Sequence, residues 1–189
     1  FGVTKKENMW SKACDLLELV ELAHPEDFLN KFPHEMSGGE CQRVCIARAL
    51  IPKPKLIIAD EPTSMLDVSI RISIMDLMLN LAKDLGISYL YITHDLAVAR
   101  YMCNRIAVMF NGKIVEIAET EELLGNPVHP YTKRLISSIP VPDPKYKRIE
   151  YDLNFDELDK IIKNNPNIDM VDIGGEHYIA THDVKDILY

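Results

Sequence analysis

The most constraining feature of the sequence is a strand–helix–strand pattern in the middle of the chain. Leu56–Ala59 is a short apolar run bounded by prolines and carboxylates, which is typical of a strand buried on both faces. The segment from about Val68 to Leu85 has a helical pattern, with Asp67 as a suitable N-cap and Gly86 just past its end. Ile87 to Thr93 is rich in β-branched and aromatic residues. The pattern therefore predicts two parallel strands joined by a right-handed crossover helix, and hence an α/β fold.

Acidic and imidazole side chains follow the two predicted strands, Asp60 and Glu61 after the first and His94 after the second. Ligands of open α/β sheets collect beyond the carboxyl ends of the strands. One carboxylate there can help to hold Mg²⁺, its neighbour can orient or deprotonate an attacking water, and a histidine can hydrogen-bond a terminal phosphate. Each residue alone has a simpler interpretation, as a helix cap, a surface pair or a satisfied strand-end histidine. If the two strands are neighbours, all three residues emerge at one edge of the sheet.

A pair of glycines at the start of another predicted helix forms a second candidate site. The helix opens in Met36-Ser37-Gly38-Gly39-Glu40 and continues to about Leu50, where prolines follow. Ser37 and Glu40 have the spacing of a capping box, which is a purely architectural interpretation. Capping does not require both glycines, however, and glycines at a helix N-terminus expose backbone N–H groups that suit a phosphate. The two interpretations are compatible.

Together these motifs resemble those of ABC ATPases, in the family's order and at sensible separations. The matching segments are Met36–Glu40 for the LSGGQ signature, Gln42–Leu50 for its helix, Leu56–Glu61 for the Walker B strand with its catalytic glutamate, Glu61–Ser64 for its continuation, Ser64–Asp67 for the D-loop and Thr93–Asp95 for the switch histidine. The resemblance covers the chain from about Glu7 to Gly125. It implies a partial P-loop NTPase fold of the α/β class, with a parallel sheet, a helical signature subdomain and a small C-terminal extension.

The resemblance also implies a role for each candidate residue. In this family two ATPase domains meet head to tail with two ATP molecules between them, so ATP and Mg²⁺ are the implied cofactors. Carried over, Glu61 polarises the attacking water and His94 contacts the γ-phosphate, which makes these two the catalytic residues. Asp60 positions Mg²⁺, through water, and Asp67 signals across the interface.

The signature residues are implied to bind ATP held by the opposing domain. They are Ser37, Gly38, Gly39 and Glu40. Glu40 stands where the family usually has glutamine, so it adds a carboxylate near phosphate. As a capping-box residue it can point back at the helix instead, and we expect the substitution to have a modest effect.

The end of the chain resembles, more narrowly, the extension of oligopeptide, dipeptide and nickel importer ATPases. The matching segments are Asn126–Thr132, its continuation through Leu135 to Ile139-Pro140, and Val171–His182. Some family members bind an iron–sulfur cluster there through clustered cysteines. Thr181 stands where cysteine is frequent and no cysteine follows Cys103, so we expect no cluster. The predicted division is part of the helical subdomain in residues 1–54, part of the ATPase core in 55–125 and the extension in 126–189.

Local patterns predict the remaining elements. They are an amphipathic helix from Glu7 to Leu22, a hairpin of Arg105–Phe110 and Lys113–Ile117 around Asn111-Gly112, short helices around Glu121 and Lys133, a linker marked by Pro140, Pro142 and Pro144, a helix near Glu157, and strands flanking Gly174-Gly175. The Asn-Gly pair is the strongest of these signals, because it favours the type I′ turn of a two-residue hairpin loop.

The resemblance implies a subunit that energises import of oligopeptides or dipeptides, peripheral to the cytoplasmic face of the cell membrane. The implied partners are a second ABC ATPase domain, transmembrane permease subunits and, indirectly, an extracytoplasmic peptide-binding protein. The net charge of −8 at pH 7 argues against nucleic acid as a partner. The cargo stays open among peptides, nickel and sugar-like molecules, in that order of preference.

One expected motif is absent from the sequence. The phosphate-binding loop G-x-x-x-x-G-K-S/T appears nowhere, nor does the glutamine-bearing loop that normally precedes the helical subdomain, and both would lie upstream of Phe1. We therefore expect that this chain alone neither binds ATP tightly nor hydrolyses it. Two other functions stay open: a non-enzymatic partner that lends its signature motif to an intact subunit, and a soluble ABC ATPase of DNA repair or translation. This sequence lacks the basic arms and long coiled coils that an ABC ATPase of DNA repair or translation is expected to have.

Overall fold

The computed structural model describes residues 6–139, 158, 160 and 169–180. The chain forms two compact units, residues 1–94 and 95–189, which are described separately below. The three-part division at residues 54/55 and 125/126 stays a prediction. No helix among the described residues is long and apolar enough to cross a membrane.

The first unit combines helices with a pair of strands. Its elements are α1 (Lys6–Leu19), α2 (Pro25–Phe28), a 3-10 turn (Pro33–Glu35), α3 (Gly38–Leu50), β1 (Leu56–Asp60), α4 (Val68–Leu85) and β2 (Ser88–Ile92). The order of helices and strands agrees with the sequence-based expectation, and α1 ends three residues before the predicted Leu22. Helix α4 begins and ends where its signals predict: Asp67 accepts from the Ile70 amide, and Gly86 adopts the left-handed conformation with φ 64°.

Strands β1 and β2 pair in parallel, as predicted from the strand–helix–strand pattern. Leu56 lies opposite Ser88 and Asp60 lies opposite Ile92, so both strands end at the same edge. The expectation that β1 is buried on both faces is wrong for the described chain. Ala59 is buried, whereas Ile58 is 65% exposed, because no described element of this unit covers the face that carries it.

The core of the first unit lies between the helices and one face of the strand pair. Its buried apolar residues are Leu17, Val20, Leu22, Ile46, Ala47, Leu50, Ala59, Ile74, Met75, Leu77, Met78, Leu81 and Ile87. Helix α4 contributes five of them, at the spacing of a single helical face. Helix α3 packs against both α1 and α4 and so forms the centre of the unit.

The side chain of Arg43 connects three elements of this unit. Its Nη1 donates to the Val20 carbonyl at 2.7 Å and to Glu21 Oε2 at 2.8 Å, at the end of α1. Its Nη2 donates to Ser73 Oγ on α4 at 2.7 Å. Because the side chain is only 14% exposed, these contacts satisfy polar groups that water reaches poorly.

The second unit is built around an antiparallel sheet. Its elements are α5 (Leu96–Met102), β3 (Arg105–Phe110), β4 (Lys113–Glu119), α6 (Thr120–Gly125), α7 (Pro130–Ser137), β5 (Met170–Asp172) and β6 (Tyr178–Ala180). The described strands of this sheet lie in the order β3-β4-β6-β5. The buried cluster beside it contains Ala99, Ile106, Val108, Val115, Ala118, Leu123, Leu158 and Ala180.

The predicted hairpin and the predicted strands around Gly174-Gly175 are both present in the second unit. Asn111 and Gly112 have φ values of 46° and 76°, as a type I′ turn between β3 and β4 requires. Strands β5 and β6 flank Gly174-Gly175. The helix predicted near Glu157 lies outside the described residues apart from Leu158 and Lys160, which have helical backbone, and the proline linker and Thr181 also lie outside them.

A fully buried carboxylate, Glu116 on β4, links the parts of the second unit. It accepts hydrogen bonds from the amides of Val128 at 2.8 Å and His129 at 3.1 Å, just before α7. It also contacts His177 Nε2 at 2.7 Å, in the β5–β6 hairpin. One side chain thus joins two segments that are far apart in the sequence to the same strand, which no local sequence pattern indicates.

We expect Arg43→Ala to lower the free energy of unfolding of the first unit by about 2 kcal/mol, because it leaves the Val20 carbonyl and Ser73 hydroxyl without this donor. The single tryptophan, Trp10 on α1, reports unfolding of this unit in urea. Arg48→Ala is the matched control, since Arg48 is an exposed arginine on the same helix and should change the value by less than about 0.5 kcal/mol. Equal effects of the two variants would contradict the role given to Arg43.

We expect Glu116→Gln to destabilise the second unit by about 1–3 kcal/mol, because the amide group presents a donor to a site already filled by N–H donors. Amide hydrogen exchange at Val128 and His129 should accelerate together, since both amides donate to this carboxylate. Glu176→Gln serves as the control on the same hairpin, where the glutamate is 74% exposed and its ion pair with Arg105 contributes little. Unchanged exchange in Glu116→Gln would show that the buried network is not needed.

Candidate functional site

The loop that follows β1 places Glu61 at the edge of the strand pair. The Glu61 amide donates to the Ile92 carbonyl at 2.9 Å, which extends the β1–β2 ladder by one bond. Its carbonyl accepts from the Ser64 amide at 3.3 Å and from Ser64 Oγ at 3.0 Å. Glu61 has φ 43°, in the left-handed region that side-chain-bearing residues rarely occupy. The backbone is therefore held in an unfavourable conformation that projects the carboxylate beyond the strand ends.

His94 meets this carboxylate from the end of β2. Its Nδ1 lies 2.8 Å from Glu61 Oε1. The two side chains are 76% and 45% exposed, so the pair faces solvent and its contribution to stability is small. Asp60, the last residue of β1, is exposed beside them. The expectation that these three residues emerge at one sheet edge agrees with the structure.

A partly buried hydroxyl pair, which joins the loop after β1 to β2, was missed by the sequence analysis. Thr63 is 4% exposed, and its Oγ1 lies 3.1 Å from the hydroxyl of Tyr91 on β2. The contact fixes the loop after Glu61 to the neighbouring strand. A tyrosine among the apolar residues of β2 is the signal that could have suggested a polar partner nearby.

The capping box predicted at the start of α3 is present in full. Glu40 Oε2 accepts from the Ser37 amide at 2.7 Å, and the Glu40 amide donates to Ser37 Oγ at 3.3 Å. The hydrogen bond from the Ser37 amide, followed by that with its side chain, lowers the pKa of the Glu40 carboxyl. Glu40 therefore points back at the helix end, as one of the two sequence-based interpretations proposed.

Asp67 ends the Ser64–Asp67 loop as the N-cap of α4. Its Oδ1 accepts from the Ile70 amide at 3.1 Å and from Ser69 Oγ at 2.9 Å. These bonds, the Ile70 amide first, lower the pKa of the Asp67 carboxyl. Gly38 and Gly39 lie next to this loop, facing Leu66 and Ile70. The role of Asp67 across an interface is not visible in a single chain and stays a prediction.

The candidate residues thus form two groups within the first unit. Asp60, Glu61 and His94 share the strand edge, whereas Ser37–Glu40 lies beside the Ser64–Asp67 loop. Within the part of the chain that the structure describes, no hydrogen bond or ion pair joins the signature residues to the Glu61–His94 pair. The resemblance to ABC ATPases implies such a separation, because in that family the two groups act on different nucleotides.

Two sequence families match segments of this chain. Residues 3–64, which contain the signature segment and Glu61, match the ABC transporter family. Residues 115–173 match the C-terminal region of oligopeptide/dipeptide transporters. The fold of the matched part is thus that of an ABC-type ATP-binding cassette.

Individual relatives narrow the assignment. The chain is 45% identical over 176 residues to the oligopeptide transport ATP-binding protein OppF of Bacillus subtilis, covering 93% of this chain and 57% of that protein. It is 53% identical over 122 residues to AmiF of Streptococcus pneumoniae, covering 65% of this chain and 40% of that protein. The chain belongs to the ATP-binding proteins of ABC transporters, in the oligopeptide/dipeptide branch, and it spans about half the length of the curated relatives it matches.

Solved structures give the same fold. The ATP-binding cassette MJ0796, in a dimeric post-hydrolysis state bound to ADP and Pi, superposes with a TM-score of 0.54 at 35% sequence identity. The superposition covers 63% of this chain and 50% of that one. It supports the partial ABC ATPase fold expected from the motifs.

The capping box predicts a pH dependence of the first unit. Because the folded state lowers the pKa of Glu40 below its ordinary value of 4.5, the stabilisation is fully present above that value and is lost as the pH falls through the lowered one. Ser37→Ala removes only the side-chain partner, whereas Ser37→Pro also removes the amide donor and suits the Ser37 φ of −67°. Carbon-detected NMR titration of Glu40 should show a partial rise of its pKa in Ser37→Ala and a larger one in Ser37→Pro. Identical titrations in all three proteins would contradict the assigned cause.

Proposed function

We propose that this chain is the part of an ATP-binding subunit, energising ABC-type import of oligopeptides or dipeptides, that carries the signature motif and the hydrolytic side chains. The observation that carries the proposal is the contact of Glu61 with His94 at 2.8 Å, beside Asp60 at the common end of two parallel strands. A carboxylate and an imidazole in contact at a sheet edge can share the handling of one water molecule. The match of the C-terminal region to peptide transporters supports the choice of cargo.

The side chains at the end of β1 offer oxygen ligands of the kind that bind the Mg²⁺ ion of a magnesium nucleotide. Asp60 and Glu61 offer adjacent, exposed carboxylate oxygens, which are the ligands that Mg²⁺ prefers. When bound, Mg²⁺ neutralises charge on the phosphate oxygens during phosphoryl transfer. In the proposed arrangement Asp60 holds the ion through water.

Glu61 and His94 divide the remaining work between them. Glu61 orients and polarises the attacking water, and its backbone bonds to Ile92 and Ser64 restrict where the carboxylate can reach. His94, attached to the neighbouring strand, bonds the γ-phosphate and keeps Glu61 oriented through the 2.8 Å contact. Because both side chains are open to solvent in the single chain, exclusion of water requires a second surface.

In the proposal, the signature residues of the opposing domain supply that second surface. Ser37, Gly38 and Gly39 present a hydroxyl and backbone amides at the N-terminus of α3, where the helix dipole favours phosphate. Ser37 Oγ accepts from the Glu40 amide, which holds the hydroxyl at the N-terminus of the helix. In a head-to-tail pair these groups act on ATP held by the opposing domain. The relative MJ0796 is dimeric with ADP and Pi, which supports such a pairing.

The further partners of the proposed subunit follow from its branch of the family. They are a second ABC ATPase domain and transmembrane permease subunits on the cytoplasmic face of the cell membrane, with an extracytoplasmic peptide-binding protein as an indirect partner. Oligopeptides or dipeptides are the proposed cargo, because the relatives OppF and AmiF are oligopeptide transport proteins.

The test joins the N-terminal segment of an intact oligopeptide-transport subunit, carrying a G-x-x-x-x-G-K-S/T loop, ahead of Phe1 of this chain. We expect the chimera to hydrolyse ATP, and Glu61→Gln to reduce kcat at least about 100-fold, since it removes the group that activates water. Glu18→Gln, an exposed glutamate on α1, is the control and should leave kcat unchanged. Full activity of the Glu61→Gln chimera would overturn the proposed catalytic role.

A mixing experiment distinguishes the proposed ATPase subunit from a non-enzymatic partner. The unextended chain is mixed with an intact subunit and ATP hydrolysis is measured. One outcome is that the chain stimulates ATP hydrolysis by the intact subunit in a way that Ser37→Arg abolishes and Glu61→Gln does not change. That result would favour a chain that only contributes its signature motif.

A further inference from the structure

The N-terminus of α3 and the start of α4 approach each other more closely than side chains normally permit. A β-carbon placed on Gly39 would lie 2.8 Å from Cγ2 of Ile70, and one placed on Gly38 would lie 3.3 Å from Cδ2 of Leu66. Carbon atoms in favourable contact are about 3.5–4.0 Å apart. Position 39 therefore has no room for a side chain unless Ile70 moves.

Ile70 has little freedom to move. Cγ2 is attached directly to the branched β-carbon, and a β-branched residue in a helix is almost restricted to one χ1 rotamer. Its backbone is fixed as well, because the Ile70 amide donates to Asp67 Oδ1 at 3.1 Å and the Arg71 amide donates to the Asp67 carbonyl at 2.9 Å. At position 38 the neighbouring atom is instead the end of the flexible Leu66 side chain, which can turn aside.

A second contact prevents the two helices from separating to make room. Arg43 Nη2 donates to Ser73 Oγ at 2.7 Å. Arg43 lies four residues after Gly39, and Ser73 lies three residues after Ile70, so each pair shares one face of its helix. Helices α3 and α4 are thus held together at successive turns.

We propose that Ile70 is a positioning residue that locks the signature segment Ser37–Gly39 onto the Ser64–Asp67 loop of the same chain. Gly39 is a glycine here because Ile70 occupies the space of its β-carbon, in addition to any contact that its amide makes with phosphate. The two segments then move as one body. This inference rests on the proposed function for its effect on nucleotide binding, but the packing itself can be tested without nucleotide.

The packing is tested by urea unfolding of this chain, followed by Trp10 fluorescence, in Gly39→Ala, Ile70→Ala and the double variant. We expect Gly39→Ala alone to lower the folding equilibrium constant about tenfold or more, the usual result of overpacking. In the Ile70→Ala background the same substitution should be neutral or raise the constant, since alanine is the better helix former. The control is Gly38→Ala, whose small effect should be the same in both backgrounds. The inference would be overturned if Gly39→Ala lowered the folding equilibrium constant equally in the Ile70 and Ile70→Ala backgrounds.

The positioning role is tested in the active chimera. We expect Ile70→Ala to raise the KM for ATP about three- to tenfold at nearly constant kcat, because loosened signature amides weaken binding. Ile70→Val, which keeps Cγ2, should restore the KM. Ile72→Ala, the same truncation at a residue of similar exposure that does not face Gly39, should not change it. An unchanged KM in Ile70→Ala would refute the positioning role, whereas a chimera without any ATP hydrolysis would refute the proposed function and leave the unfolding cycle to decide on Ile70.

Discussion

The hydrogen bond from the Glu61 amide to the Ile92 carbonyl ends the ladder between β1 and β2, and the geometry of the Glu61–His94 pair depends on it. Parallel pairing brings the ends of both strands into line, with Asp60 opposite Ile92. The additional bond at 2.9 Å then fixes the residue that follows β1 to the strand that precedes His94. Two side chains 33 positions apart in the sequence reach a separation of 2.8 Å as a consequence. The turn closed by Ser64 and the Thr63–Tyr91 contact keep that arrangement in place.

Those parts of the molecule that depend on neighbouring residues could be predicted from the sequence. Helix α4 begins at its Asp67 cap and ends at Gly86, and the Asn-Gly pair forms the turn between β3 and β4, because each signal acts within a few residues. The order of the candidate motifs also led to the correct family. The burial of each residue was harder to predict. An apolar run such as β1 predicts a strand but does not say whether both of its faces are covered.

Apart from the sheet edge shared by Glu61 and His94, contacts between distant segments escaped prediction for a common physical reason. Arg43, Glu116 and Ile70 are unremarkable residues in the sequence, and their importance arises only when the fold brings particular partners to them. Arg43 is an ordinary helix former, and Glu116 interrupts the apolar run inside β4 without revealing the amides and imidazole around it. A buried carboxylate surrounded by donors specifies one arrangement of the segments that it binds, because any shift leaves charge and N–H groups unsatisfied. The C-terminal region is therefore attached to β4 by polar geometry as well as by apolar packing.

Under the proposed function, the left-handed backbone of Glu61 places catalysis and folding in opposition at one position. With φ at 43°, every residue with a side chain is disfavoured there by roughly 1 kcal/mol relative to glycine, whatever its charge. Glycine would relax the turn but would remove the carboxylate, so under the proposed function a selection for thermal stability alone would drift toward an inactive protein. Glutamine, by contrast, inherits the same backbone conformation and the same strain. A change in activity on replacing Glu61 by glutamine therefore reports on the carboxylate itself, with the fold held constant.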